Sequence, residues 1–497
     1  MTSQISAQTP AGATDSPQRL VLRNTAFVVG AQLLITPLTI VVNAIVARKL
    51  GAIHFGQLYL ATSFVALAML FVEWGHSGAL TGGVARDRSR AGLLLGSSLV
   101  WRCGAALLAS GLLISGCILL GYDREFLIVL SLALLVSLLG TFSFACNDVL
   151  RGFERTDIGA VGYVIWQVLT AAVVIPVMLL GGGLHSLLWT QACCAAACAI
   201  GLWFWLKPIG LPRLQASLNT IKELFKAGTP FLIFGLVLVL QTNIDALLLS
   251  KFGSAESVGW HAVARKLIGL LAFPANALIT TLYPTLCRLY LQDQAAFRNT
   301  TASALQLTAL IAMPVALSCA FFPDVGVRIF SMDEYGAAAD NLRILAAFIL
   351  LVYFSMPLGS ALTAAGRQRP WAIAQIVCLG IGTLLDLLLI PWFQTHHGNG
   401  GLGVCVATLS SEVLMVGVGL WLLPAGILNI ALLRKLLAAL SGAVCMALVA
   451  WSLHTFNSFI AAPFALVAYV LGVWLAGGID PALIAKARAL LRGQPAA

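Results

Sequence analysis

Apolar runs of membrane-spanning length recur along the whole chain, parted by short breaks of charge, glycine or proline. They fall near 26–47, 57–78, 93–120, 127–149, 161–181, 187–206, 230–250, 260–283, 302–322, 343–364, 371–393, 403–423, 436–455 and 459–476. A helix needs about 20 apolar residues to cross the hydrocarbon core of a bilayer. The pattern therefore predicts an all-α polytopic membrane protein with about 14 transmembrane helices. The mildest break is His454–Ser458, between the last two runs. Composition agrees: of 497 residues 60% are hydrophobic and 10% charged, with a mean hydropathy of +0.95. That is too little charge to coat a water-soluble particle of this size, which excludes a cytosolic enzyme, a disordered chain and a secreted disulfide scaffold.

The net charge of +10 bears on orientation rather than on nucleic acid, because no basic run carries interleaved aromatics. With the N-terminus inside, alternating loops place 20 basic residues on the inner side and 6 on the outer, leaving Arg102, Arg265 and Lys266 within spans. Lysine and arginine concentrate on the cytoplasmic side of membrane proteins, so both termini are expected inside and the span number even. The polar N-terminal stretch lacks a basic region followed by an apolar one, so the first span is expected to act as the insertion signal. All loops are short. The inner segment after Lys207 contains an amphipathic stretch, Leu214–Phe225, expected to lie on the cytoplasmic surface.

Two sequence echoes sit six spans apart. Lys49-Leu50-Gly51 with Phe55-Gly56 matches Lys251-Phe252-Gly253 with Val258-Gly259, and Gly152-Phe153-Glu154-Arg155 matches Gly366-Arg367-Gln368-Arg369. An even offset means two halves of the same orientation, related by an axis along the membrane normal. The expected organisation is a polar tail at 1–23, an N-lobe at 24–206, a cytoplasmic amphipathic linker at 207–228, a C-lobe at 229–424, two further spans within 425–478, and a cytoplasmic tail at 479–497. This makes two parallel six-helix lobes around a central cleft, plus two C-terminal helices, which is a transporter arrangement.

Several residues also carry a family resemblance. Arg23-Asn24 at the opening of the first span, Ala47-Arg48-Lys49-Leu50-Gly51, Phe55-Gly56 and Tyr59 resemble the start of the oligosaccharide and polysaccharide flippases of the multidrug/oligosaccharidyl-lipid/polysaccharide exporter superfamily. Glu73-Trp74-Gly75 to Ala79-Leu80, Val84-Ala85-Arg86, Leu150-Arg151-Gly152 with Arg155, and Asn243-Ile244-Asp245 followed by Gly259 and Ala264-Arg265 fit the same pattern. The resemblance implies export of a polyprenyl-diphosphate-linked oligosaccharide to the outer leaflet of the bacterial inner membrane by alternating access, for O-antigen, capsule or exopolysaccharide. Partners would be that lipid-linked substrate, the bilayer, and a polymerase and chain-length protein of the same pathway.

Ionisable groups inside spans are the candidate chemistry, since each costs about 2.5–3.5 kcal/mol at the bilayer centre unless it meets water or a partner. Arg265, with Lys266 or Arg102 as a second cation, is expected to face the cleft and hold phosphate, for which the arginine fork is suited. His261 and Asn276 share the Arg265 face. Gln32, Thr36, Thr39 and Asn43 form one narrow stripe in the first span, with helix–helix hydrogen bonding as the alternative role. Asp245, Glu412, Asp386 and Glu73 are candidates for charge pairing or for binding a coupling proton or sodium ion. Gln241 stands one turn from Asp245, Gln375 shares a face with Asp386, and Thr408 with Glu412. Asp148 lies within reach of Arg151.

Three other readings are weighed. A lipid II flippase would concentrate cations in its first lobe, whereas here the first span has no central charge and the second only an acid. A cation-coupled drug exporter of the same superfamily often carries a key acid in the first span, absent here. A membrane glycan polymerase or glycosyltransferase needs a large outer loop with catalytic acids or histidines, and His396-His397-Gly398 reads as an exposed turn. The protein is therefore not expected to be an enzyme or to need a cofactor: no lysine precedes serine or threonine, so a Walker A loop is impossible. The eleven cysteines lie in apolar spans without metal-ligand spacing.

Overall fold

The computed structural model describes residues 17–206, 213–330 and 332–478. The expected tails at 1–23 and 479–497 fall largely or wholly outside these residues, as does 207–212 of the linker. The described residues are helical almost throughout: α1 (Pro17–Glu73), α2 (His76–Arg86), α3 (Ala91–Leu119), α4 (Arg124–Gly152), α5 (Thr156–Leu179), α6 (Leu184–Leu206), α7 (Leu218–Phe252), α8 (Ala255–Leu271), α9 (Phe273–Gln292), α10 (Gln294–Phe321), α11 (Pro323–Arg328), α12 (Met332–Tyr335), α13 (Ala338–Ala364), α14 (Gln368–His397), α15 (Gly400–Leu422), α16 (Ile430–Ser452) and α17 (Ser458–Leu475). Among the described residues, thirteen stretches are long and apolar enough to cross a membrane, the first of them running 57 residues. At 1.5 Å per residue that stretch is about 86 Å long, enough for two crossings of a core about 30 Å thick. Fourteen spans result, as the hydrophobic pattern predicts.

The first two spans join without a loop. The chain turns only at Gly51, whose φ of 75° and ψ of 172° interrupt the helix. That conformation is one glycine adopts without a Cβ penalty. It leaves the Ala52 N–H without an intrahelical acceptor, and the carboxylate of Glu334, on α12, accepts it at 3.0 Å. A Cβ on Gly51 would stand 2.6 Å from the same carboxylate oxygen, so both backbone angle and space require glycine.

Around this kink the two halves of the chain are sealed at one end. Gly56 and Gly259, the glycines that end the first echo, pack against each other: a Cβ on Gly56 would lie 2.8 Å from the Gly259 nitrogen, and one on Gly259 would lie 2.1 Å from the Ala52 carbonyl oxygen. Polar contacts ring the pair. Arg48 donates to the carbonyls of Phe330 and Arg328, both at 2.9 Å. The Tyr335 hydroxyl donates to the Ala47 carbonyl at 3.0 Å. The Lys251 ammonium lies 3.5 Å from the centre of the Tyr122 ring and donates to the Leu120 carbonyl at 2.7 Å.

At the opposite end the amphipathic stretch does not form a separate surface helix. From Leu218 it opens α7 and continues into the seventh span. Phe225 wedges between Trp101 and Trp74, with ring centres 4.3 and 4.8 Å away. Burial of these aromatic faces, together with the Ser217 N–H to Ser97 hydroxyl bond at 3.1 Å, gives the segment more than a bilayer surface would.

The second echo also closes on real geometry, but in a shifted register. α4 and α13 end in the same turn: the Arg155 N–H reaches the Leu150 carbonyl at 2.9 Å, and the Arg367 N–H reaches that of Leu362 at 2.8 Å. The left-handed residues are Glu154 and Gly366, so Glu154, not Gly152, is the structural counterpart of Gly366. Similar C-terminal helix stops, rather than identical letters, underlie the match.

Gly259→Ala should destabilise the sealed state by about 1–3 kcal/mol, the usual cost of overpacking, because its new methyl group meets backbone rather than a flexible side chain. The check is the thermal unfolding midpoint of the purified protein. An unchanged midpoint would show that the two halves do not meet at this glycine pair.

Candidate functional site

A polar chamber of about 730 Å³ opens inside the second half of the chain, lined by α7, α8, α9, α13, α14 and α15. The chamber's lining residues all come from the second half of the chain, while Tyr59 of the first half lies beside its Arg265. Five of the expected residues line it: Arg265, Asn276, Asp245, Asp386 and Glu412. The helical spacings read from sequence bring their neighbours with them. Gln241 accompanies Asp245 on α7, Gln375 accompanies Asp386 on α14, and Thr408 accompanies Glu412 on α15.

Three carboxyl groups and one guanidinium line this space. Asp245, Asp386 and Glu412 are all buried, at 7%, 2% and 5% exposure. Arg265 lies within electrostatic reach of Asp245 and of the Tyr59 hydroxyl, and its guanidinium carbon stands 6.0 Å from the centre of the Phe348 ring. Asp386 Oδ1 is buried without a hydrogen-bond donor among the described residues. α14 and α15 approach closely beside it, since a Cβ on Gly382 would be 2.7 Å from the Ser411 hydroxyl. Ser411 donates to the Cys378 carbonyl at 2.7 Å. A buried carboxyl group short of donors presents acceptors to a cation or a proton.

The remaining expected residues do not join the chamber. Arg102 is fully buried in the first half, paired with Asp148 at 3.3 Å. Asp148 also accepts from the Ser77 hydroxyl at 2.6 Å. Arg102 therefore has an ion-pair partner between α3 and α4 and offers no cation to a substrate, and Asp148 takes Arg102, not Arg151, as its ion-pair partner. His261 shares the Arg265 face but lies one turn nearer the seal, where it is fully buried against Tyr59, with ring centres 6.4 Å apart. The chamber opens only beyond that point. Lys266, about 100° round the helix from Arg265, is exposed but outside the lining. Gln32, Thr36 and Asn43 keep to α1, where Thr36 donates to the Gln32 carbonyl and Asn43 to that of Thr39, each at 2.8 Å. Glu73 ends α1, within electrostatic reach of the Arg102–Asp148 pair and away from the chamber.

One wall went unread in sequence. α13 contributes Phe348, Val352, Ser355, Gly359 and Thr363, spaced three or four residues apart so that they share a face. The run carries no charge, and its small and hydroxyl residues resemble ordinary helix-packing positions. The stripe Ser355, Gly359 and Thr363 was the available signal.

With this geometry in view, the kinship of the chain is clear. Residues 45–340 match the sequence profile of the polysaccharide biosynthesis protein family. The chain belongs to that family. A relative within reach of sequence comparison is the teichuronic acid biosynthesis protein TuaB of Bacillus subtilis (strain 168), 25% identical over 214 residues. That match spans 43% of this chain and 43% of the relative's length. Among solved structures, the fold is similar to the lipid II flippase MurJ in an inward closed conformation. The TM-score is 0.71 at 13% identity, covering 91% of this chain and 98% of that one. An inward-facing multidrug resistance MATE family transporter of the MOP superfamily superposes with a TM-score of 0.60 at 17% identity, covering 78% and 93%. A MOP superfamily transporter from Pyrococcus furiosus gives 0.56 at 17% identity, covering 82% and 95%. This member of the polysaccharide biosynthesis protein family is thus a multi-pass membrane protein whose fold is that of the MOP superfamily transporters.

The Arg102–Asp148 assignment is testable through its energetics. Removing one partner of a buried ion pair leaves an uncompensated charge and costs about 3–5 kcal/mol. Arg102→Ala and Asp148→Ala should each lower the amount of folded protein in the membrane, and the double variant should cost less than the two single losses combined. Additive losses would show that the two groups are not coupled.

Proposed function

We propose that the protein carries a polyprenyl-diphosphate-linked oligosaccharide from the inner to the outer leaflet of the bacterial inner membrane by alternating access. The product would serve surface polysaccharide synthesis, beside a polymerase and a chain-length protein. In this reading residues 24–206 and 229–424 are two parallel lobes, residues 425–478 are an appended helix pair, and both termini lie in the cytoplasm. The seal at Gly56 and Gly259 then closes the outer side. The observation that carries the reading is a chamber holding Arg265, Asp245, Asp386 and Glu412 inside helices that are otherwise apolar. Such groups are expensive in lipid and mark a transport path.

The charge balance suggests an order of events. With its three acids ionised against one arginine, an empty chamber would be anionic and would repel a diphosphate. A proton or sodium ion on Asp386 or Asp245 would reduce that repulsion and free Arg265 for an anionic sugar or phosphate. The membrane potential acts in the same direction, helping an anionic carrier outward by about 2.3 kcal/mol per charge at 100 mV. The same acid excess also suits a cation-coupled drug exporter, which would depend on the acids but not on Arg265.

Arg265→Ala should keep the protein in the membrane, since the residue lines open space, while glycan export falls by at least about tenfold. Arg265→Lys should restore part of the export, because a point charge replaces a bidentate fork. Export equal to wild type in Arg265→Ala would overturn the assignment. If Asp245→Asn and Asp386→Asn abolish gradient-driven transport of a cationic drug while Arg265→Ala does not, the exporter reading replaces it.

A further inference from the structure

A second cavity shares no lining residue with the chamber. It is a groove of about 1110 Å³ between the second half of α1, α3 and the opening turns of α7. Its walls are almost wholly apolar, including Phe71, Val100, Leu108 and Leu112, and its only charged lining residues are Lys222 and Lys226. These stand one turn apart on α7, next to the Trp101–Phe225 contact. Both side chains are exposed, and neither has an ion-pair partner among the described residues. The adjacent Glu223 is held by Arg90 at 2.8 Å, so it does not neutralise them.

Length decides between lipid occupants. The α3 wall runs from Val100 to Leu113, a rise of about 20 Å. Half of a hydrocarbon core about 30 Å thick is all that an acyl chain of one leaflet fills. A groove longer than one leaflet's acyl layer, with two cations at one end only, fits an anionic head group on a chain longer than a phospholipid's. The chamber, dominated by acids, does not supply cations for two phosphates, whereas Lys222 and Lys226 do. We infer that this groove binds the isoprenoid chain of a polyprenyl phosphate or diphosphate, with Lys222 and Lys226 on the phosphate oxygens. The inference rests on the carrier-lipid reading of the substrate and adds a site for the lipid's tail and anchor.

The experiment measures lipid binding rather than export. Purified full-length protein in detergent is titrated with undecaprenyl phosphate, farnesyl phosphate or dioleoyl phosphatidylglycerol, and bound lipid is counted by native mass spectrometry. Wild type should prefer undecaprenyl phosphate over the other two by about tenfold or more. Lys222→Gln/Lys226→Gln, at exposed positions, should lose most of that preference. Gly104→Phe should do the same by filling the groove, because a Cβ at Gly104 meets no atom within 4 Å; Gly104→Ala should bind as wild type. Undecaprenyl phosphate binding that survives both the lysine and the phenylalanine variants overturns the groove assignment alone. Equal binding of phosphatidylglycerol makes the groove an ordinary lipid-facing surface and overturns it too. Failure of wild type to bind undecaprenyl phosphate at all overturns the carrier-lipid reading along with it.

Discussion

A guanidinium in a membrane must have either a partner or a polar space, and the architecture meets that constraint in two opposite ways. Arg102 has a carboxylate 3.3 Å away, and three helices close over the pair until neither residue has appreciable exposure. Arg265 shares its surroundings with Asp245 and keeps an open chamber in front of it. The residue type is the same in the two cases. One charge is used up in fixing α3 against α4; the other remains available. The difference between a structural and a functional arginine lies in whether neighbouring helices converge on it.

Convergence of helices is itself set by glycine. Gly56 against Gly259 lets α1 and α8 touch backbone to backbone, and Gly51 bends the first helix so that Glu334 can cap its second half. Close small-residue contact is the usual way for helices to associate where lipid provides no hydrophobic drive between them. The seal so formed buries His261 and ends just above Arg265. The glycine pair therefore decides where polar space begins along α8 and which residues on one helical face reach it.

The two cavities differ in chemistry. The chamber is polar with an excess of acids; the groove is apolar with two lysines at one end. Helix α7 lines both, carrying Lys222 and Lys226 near its start and Gln241 and Asp245 later on. A single helix pinned to the first half by Phe225 and lining the chamber of the second half is a direct mechanical link between them. Movement of one half against the other would alter the groove and the chamber together.

Sequence alone determined the class of the molecule. Fourteen apolar runs, scarce charge and alternating basic loops leave no other solvent than lipid, because those properties follow from composition and period along one chain. It also grouped the chamber's acids with their polar neighbours, since Gln241 with Asp245, Gln375 with Asp386 and Thr408 with Glu412 are related by helical spacing within single helices. Which faces meet was beyond it. That Arg102 pairs with Asp148 on another helix, that His261 is sealed while Arg265 is open, and that an uncharged face of α13 completes the chamber are facts of packing between segments far apart in the chain. Helical period fixes angles within one helix, but only tertiary contact decides which of those angles points at a partner, at lipid or at open space.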